Sequence, residues 1–298
     1  MNLITIGKAV LTGKNVAVKL SKDEGKKSWL SYYLDMIRLS ITSYISPERY
    51  VENEVFSMTS SERKAFCEKS KDEHKQNREW VKLYRSNLRF NAKWTKEKYS
   101  SRPFLSYLRS RAYKKHFHLT NVPVIQYGVH IICEHKTNGR IEFGKNVLLA
   151  RNVDIDYTGD LIVDNNVYFS EGVKVLTHNH STGMEKTNMD KGCVLTPLVI
   201  HDHVWIGTRA IIMPGVKEIG RGAIISADSF INSKIPPYAI VMGNPAKIVG
   251  FKQSPEEILE YEIKHYEEKD RIPADIIYAN YDKYFRRRWK EIKQWTRL

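Results

Sequence analysis

From Ile141 onward, the chain puts an aliphatic residue at every sixth position. The hexads run IEFGKN from Ile141, VLLARN from Val147 and VDIDYT from Val153. After an offset of two residues come LIVDNN from Leu161, VYFSEG from Val167 and VKVLTH from Val173. A longer gap precedes LVIHDH from Leu198, VWIGTR from Val204, AIIMPG from Ala210 and VKEIGR from Val216. GAIISA from Gly222 and DSFINS from Asp228 close the series more loosely. Six residues suit one short strand and one turn, the side of a triangular prism, so about 18 residues close a coil. Coils stacked at the inter-strand spacing of about 4.8 Å pile the leading residues into an inward column. Gly and Asn at the corners tolerate a left-handed backbone. Chance repetition within a β-sandwich accounts poorly for so many hexads in register.

The expectation is therefore a mainly β protein built on a parallel β-helix of about five coils over residues 121–252. Residues 1–120 form a basic, helical N-terminal segment and residues 253–298 a helical C-terminal tail. Within the first, residues 26–118 read as helices, with Ser60 or Ser61 as an N-cap and Phe66, Trp80, Leu83 and Tyr84 at helical spacing.

The formal charge of +14 belongs almost wholly to that first segment. Lys and Arg outnumber Asp and Glu by 25 to 12 over residues 1–120, are matched at 12 each over 121–250, and stand at 11 to 10 over 251–298. A nucleic-acid function spread along the chain is thereby disfavoured. The basic aromatic stretch over residues 80–118 suits an accessory contact with an anionic membrane surface, set against the plainer reading of a solvated helix face. Cys67, Cys133 and Cys193 make neither a CxxC site nor a disulfide framework. The N-terminus lacks an uninterrupted apolar core of the signal-peptide kind, and no run of about 18 apolar residues occurs. The expected location is cytoplasmic.

The stretches "NVYFSEGVKVLTHNHSTG", "VWIGTRAIIMPGV" and "IPPYAIVMGNPAKIVG" resemble the hexapeptide-repeat acyltransferases, in the maltose and galactoside O-acetyltransferase branch. The wording "IDYTG" and "THNHS" is most similar to capsule and lipopolysaccharide O-acetyltransferases. The resemblance covers about residues 121–252 and implies that the parallel β-helix is left-handed. It implies an O-acetyltransferase that uses acetyl-CoA, takes a sugar or glycan acceptor and assembles as a homotrimer.

Between Val173 and Leu198 the repeat is broken by a polar excursion, and such loops on rigid scaffolds are where sites are built. His178 stands at its base, in the position of the family's catalytic histidine. A neutral imidazole there would take the proton of the acceptor hydroxyl and return it to the departing thiolate. With no nucleophile elbow and no Cys/His pairing, direct transfer is expected rather than an acyl-enzyme.

Asp156, 22 residues earlier, should share an edge of the prism with His178, and either holds the acceptor or orients the imidazole. The resemblance implies acceptor contact, and His180 is a second candidate there. Tyr157 stands where serine O-acetyltransferases carry His. On the donor side the resemblance implies Thr208, Ala227 and Lys247, with Trp205 filling a repeat corner against the groove and Lys252 by proximity. Ser233 and Gly250 replace a second basic residue. His201 and His203 read as turn residues, and Pro236 and Pro237, which cannot donate to a ladder, as the end of the last coil.

Two other readings stay open. One is N-acetylation of an amino or nucleotide sugar, which the same base would serve. The other is a zinc enzyme like the gamma-class carbonic anhydrases, drawing on His178, His180, His201 and His203, although their spacing does not reproduce that class. No metal is assigned.

Overall fold

The computed structural model describes residues 78–99, 102–135, 139–180 and 193–296, together with Thr59, Thr137 and scattered helical positions between 61 and 75. The helices expected over 26–58, Cys67 and residues 181–192 of the polar excursion lie outside the described residues. The chain divides into two units, residues 1–85 and 86–298.

In the first unit the helix cap differs from expectation. Thr59, not Ser61, makes the capping contacts: its hydroxyl lies 2.8 Å from Glu62 Oε2, and its backbone N–H donates to the same carboxylate at 2.7 Å, while Ser60 and Phe66 lie outside the described residues. The motif T-x-x-E is a capping box, which satisfies amides the helix leaves without partners. Trp80 and Tyr84, one turn apart, stack with centroids 5.4 Å apart.

The second unit is a three-sided parallel β-solenoid of about five coils. One face stacks strands Val124–Ile125, Leu148–Leu149, Tyr168–Phe169, Trp205–Ile206, Ile224–Ile225 and Ala239–Met242. The next stacks His130–Ile132, Asp154–Asp156, Lys174–Val175, Ile211–Ile212 and Phe230–Ile231. The third stacks Ile141–Phe143, Leu161–Val163, Leu198–Ile200 and Glu218–Ile219.

The leading residues from Ile141 to Val216 are all buried, as the hexad period requires. The loose final hexads are displaced by one residue: Ala223 and Ser229 point inward, while Asp228 sits exposed at a corner with φ 57°. Asn146, Asn152, Asn166 and His203 occupy the same left-handed corner conformation, with φ between 55° and 60°. Pro236 and Pro237 do not end the last coil. They thin the third face to an isolated Ile219–Ile235 bridge, and the chain then adds Ala239–Met242 to the first face. Lys247–Phe251 folds back antiparallel on that strand.

Both open ends of a solenoid present unpaired backbone that must be covered. At the N-terminal end the work falls to α1 (Arg78–Trp94), from residue 86 onward, and α2 (Pro103–His116). Tyr113 donates to Val129 O at 2.6 Å and Asn91 Nδ2 to Ile131 O at 2.9 Å. Arg109, fully buried, reaches Lys96 O at 3.2 Å. Part of the basic aromatic stretch is thus spent on packing rather than on a solvated face, although Phe104 and Tyr107 remain exposed.

At the other end, α3 (Pro255–His265) and α4 (Ala274–Tyr284) bury Ile258 and Ile277 against Tyr238. Arg221 pairs with the buried Glu262 at 2.8 Å, and a last helix, α5, spans Trp289–Thr296. No described helix is long and apolar enough to cross a membrane.

Candidate active site

The edge between the second and third faces carries the chemistry. Strand Asp154–Asp156 delivers Asp156 to this edge, and Lys174–Val175, stacked one coil above it, delivers Thr177 and His178. His178–His180 then pairs antiparallel with Cys193–Leu195, so the polar excursion leaves the solenoid as a two-stranded ribbon. Gly159 makes the close stacking possible. A Cβ added there would lie 2.1 Å from Thr177 O and 2.8 Å from Thr196 N, the two ends of the excursion.

His178 Nδ1 lies 2.6 Å from Asp156 Oδ2. Asp156 is 4% exposed, and its carboxylate also accepts from the Thr158 amide at 2.9 Å, the Thr158 hydroxyl, and the Thr177 amide at 3.1 Å. So many internal donors leave it little capacity for a sugar hydroxyl. Of the two roles open to it, this arrangement favours orienting the imidazole over holding the acceptor. With Nδ1 donating to Asp156, the Nε2 lone pair is the free basic position of the ring.

The charges reinforce one another. Burial alone would lower the His178 pKa, but the Asp156 hydrogen bond and the Asp156 and Glu134 charges outweigh it and hold the ring above 6.5. Burial likewise works against the Asp156 carboxylate, yet hydrogen bonds from His178 and Thr158 keep it below 3.8. Glu134 is pushed above 4.5 by burial and then by the Asp156 charge.

The His178 side chain is only 7% exposed, but it sits at the edge, outside the aliphatic column. Its Nε2 lies 4.0 Å from Glu134 Oε2, on a side chain 51% exposed, so the ring opens to the surface on that side. His135 packs edge-on against His178 at 4.6 Å and against His180 at 5.0 Å between centroids.

Glu134, His135 and Cys193 were not singled out from sequence. The strand pairing places the first two: His130 aligns with Asp154 and Ile132 with Asp156, and the Glu134 amide donates to Thr158 Oγ1. That coil takes 24 residues instead of 18, from His130 to Asp154, so counting hexads back from Val153 does not bring Glu134 and His135 to the Asp156 corner. Cys193 reaches the site through an antiparallel pairing that no hexad count reveals.

The other expected residues lie elsewhere. Thr208 and Ala227 share the edge between the first and second faces: Asp228 N donates to Thr208 O, and Gly207 sits against the Ala227 amide. Trp205 is not at a corner. It lies in a strand of the first face, 52% exposed, beside Tyr168, and donates to Ser170 Oγ at 3.0 Å. Lys247 lies 3.7 Å from Glu291 at the C-terminal end. Lys252 lines a small pocket with His203, Tyr238 and Tyr261.

One chain therefore does not bring the donor residues to the edge that carries His178. Nor does it assemble the four histidines of the zinc-enzyme reading. His201 is held at the edge between the third and first faces by Asp164 at 2.9 Å and Glu218 at 3.3 Å, and His203 is a corner residue.

No family model matches the chain. It is 33% identical over 107 residues to a Schizosaccharomyces pombe protein named as an acetyltransferase, a match covering 36% of this chain and 51% of that one. It is 50% identical over 60 residues to a chloramphenicol acetyltransferase of Klebsiella aerogenes, covering 20% and 28% respectively. The chain thus spans from about a quarter to about half the length of these curated relatives. Among solved structures it is similar to a hexapeptide-repeat acetyltransferase from Vibrio cholerae, with TM-score 0.48 and 24% identity over 58% of this chain and 92% of that one. It is also similar to a galactoside acetyltransferase in complex with coenzyme A, with TM-score 0.47 and 23% identity over 64% and 90%.

Proposed function

We propose that this protein is an acetyl-CoA-dependent O-acetyltransferase acting on a sugar or glycan, with His178 as general base. The observation that carries the reading is the buried Asp156–His178 pair at the base of a polar excursion. Asp156 fixes the ring with Nε2 outward, and that atom removes the acceptor's hydroxyl proton as its oxygen attacks the thioester carbonyl. The C–S bond then breaks, and the same proton passes from Nε2 to the coenzyme A thiolate. No protein nucleophile is required. Relatives named as acetyltransferases support the reaction class. The choice of a hydroxyl on a sugar, of the capsule or lipopolysaccharide kind, rests on the sequence resemblance.

We also propose a homotrimer in which the Thr208–Ala227 edge of one copy faces the His178 edge of the next. Its support is that these residues occupy different edges of a single prism. Three copies related by rotation would supply both halves of each site.

The test is thiol release from acetyl-CoA against a panel of sugars, amino sugars and lipid-linked glycans, for the native chain and His178→Ala. Release with a hydroxyl-only sugar, lost in the variant, supports the reading. Release with amino sugars alone redirects it to N-acetylation, and release undiminished in a folded variant overturns it.

A further inference from the structure

The same corner of the solenoid carries a second, chemically different set of groups. One ligand atom from each of His135, His178 and Cys193 can be chosen so that all three lie within 4.8 Å of one another. They come from three separate places: the coil below Asp156, the first strand of the ribbon, and the strand that pairs with it. We propose that these three side chains form a binding site for a borderline-soft divalent cation, zinc foremost, and that its occupancy switches the transferase off. The inhibitory half rests on the function proposed above; the binding half does not.

Three observations converge on a cation of that class. The first is the donor set. Two imidazoles and a thiol select zinc over magnesium or calcium, which take oxygen ligands. The second is the outer shell. His178 Nδ1 is already held by the buried Asp156 carboxylate, which leaves Nε2 to face a metal. A carboxylate–histidine pair of this kind orients and strengthens a metal-bound imidazole.

The third is the neighbouring His180. It is paired in register with Cys193, its centroid lies 5.0 Å from that of His135 and 5.3 Å from that of His178, and its buried Nδ1 has no hydrogen-bond partner among the described residues. A fourth position is therefore open to His180 or to water. Tetrahedral zinc with Zn–N of about 2.0 Å and Zn–S of about 2.3 Å needs ligand atoms about 3.3–3.8 Å apart. Closing from 4.8 Å takes a shift of about an ångström shared among three side chains, within reach of small χ rotations.

Binding and catalysis exclude each other at one atom. The lone pair on His178 Nε2 that must accept the acceptor's proton is the pair donated to the metal. On binding, the Cys193 thiol gives up its proton to solvent and the sulfur coordinates as thiolate, so one proton is released per cation bound.

The experiment uses the full chain, stripped with a chelator and then titrated with zinc by calorimetry. Cobalt serves as a spectroscopic stand-in, and thiol release from acetyl-CoA is followed in parallel. Expected are one zinc per chain, a thiolate-to-cobalt charge-transfer band, and turnover that falls with zinc and returns with chelator. Magnesium should change nothing. Cys193→Ser should abolish the cobalt band, weaken zinc binding by about 10-fold or more, and free turnover from zinc inhibition, each variant being compared with its own zinc-free rate. His135→Gln should weaken binding similarly.

Absence of stoichiometric zinc binding, or binding indifferent to both substitutions, overturns the site. Zinc bound as expected with turnover unaffected overturns the inhibitory half. Zinc bound as expected by a chain that shows no transferase activity under any condition upholds the site and counts against the transfer reading instead.

Discussion

His178 Nδ1 and Asp156 Oδ2 stand 2.6 Å apart, on consecutive coils, with 21 residues of chain between them. The stacking of coils closes that distance, and Thr158 and Thr177 hold the carboxylate from both sides. The imidazole is thereby fixed in tautomer and direction before any substrate arrives, which is what a general base requires.

Replacing His178 with Ala is expected to lower turnover by about 10²–10⁴-fold. The fold should survive, because the ring lies at the ribbon's base rather than in the aliphatic column. Circular dichroism and thiol release measured on the same sample check both halves. A variant that keeps turnover within a few-fold of native contradicts the assignment.

Asp156→Asn keeps the shape but replaces the charged acceptor with a neutral amide. Turnover should drop by about 10–100-fold, part of the general-base contribution, while the KM for the acceptor changes little, since the Asp156 carboxylate is buried and taken up by internal donors. A large rise in acceptor KM at constant kcat would return Asp156 to the acceptor-binding role.

The base must be neutral to accept a proton, and its pKa lies above 6.5. The acid limb of the kcat/KM profile should therefore lie above 6.5 in the native protein and move downward in Asp156→Asn. The same pair governs stability with opposite sign. A histidine whose folded pKa is raised contributes stability that is complete below its unfolded value of about 6.5 and fades as pH rises through the folded value. Asp156, held below 3.8, contributes stability above its unfolded value of about 3.9, lost as pH falls through the folded one. Thermal melts from pH 3 to 9 should show both effects diminished in Asp156→Asn.

Gly159→Ala sets a methyl group 2.1 Å from Thr177 O, where only backbone can give way. Destabilisation of about 1–3 kcal/mol is expected, together with lost turnover, because the displaced residues adjoin His178. Denaturant melts and thiol release check this. Unchanged stability would mean that the coils separate more easily than the stacking implies.

Trp205→Ala removes an exposed ring on the first face. If that face borders the donor groove, the KM for acetyl-CoA should rise about 5–10-fold, the scale of an exposed aromatic contact of about 1–1.5 kcal/mol, with kcat unchanged. An unaltered KM would remove Trp205 from the donor site.

The fold was legible because a period of six is a local property: each inward residue from Ile141 to Val216 declares its own place in the column. The period also fixed the shared edge of His178 and Asp156 by counting. It weakened where the leading residues were not aliphatic, so the column shifted unannounced from Gly222 and Asp228 to Ala223 and Ser229. Thr59 takes the helical cap from the expected Ser61 because its hydroxyl and amide both reach Glu62, three residues on.

By itself, then, the order of residues determined the three-sided stack, the helical character of the flanking segments and the corner that bears the imidazole, since short-range spacing encodes all of these. The tertiary structure alone decided that Asp156 is buried and holds the ring, and that Arg109 and Tyr113 leave the basic stretch for the interior. It also decided that Glu134, His135 and Cys193 meet at one corner. These outcomes depend on which coils and ribbon strands lie against each other, and on burial that makes an unpaired polar group costly. Neither is a property of any single stretch of chain.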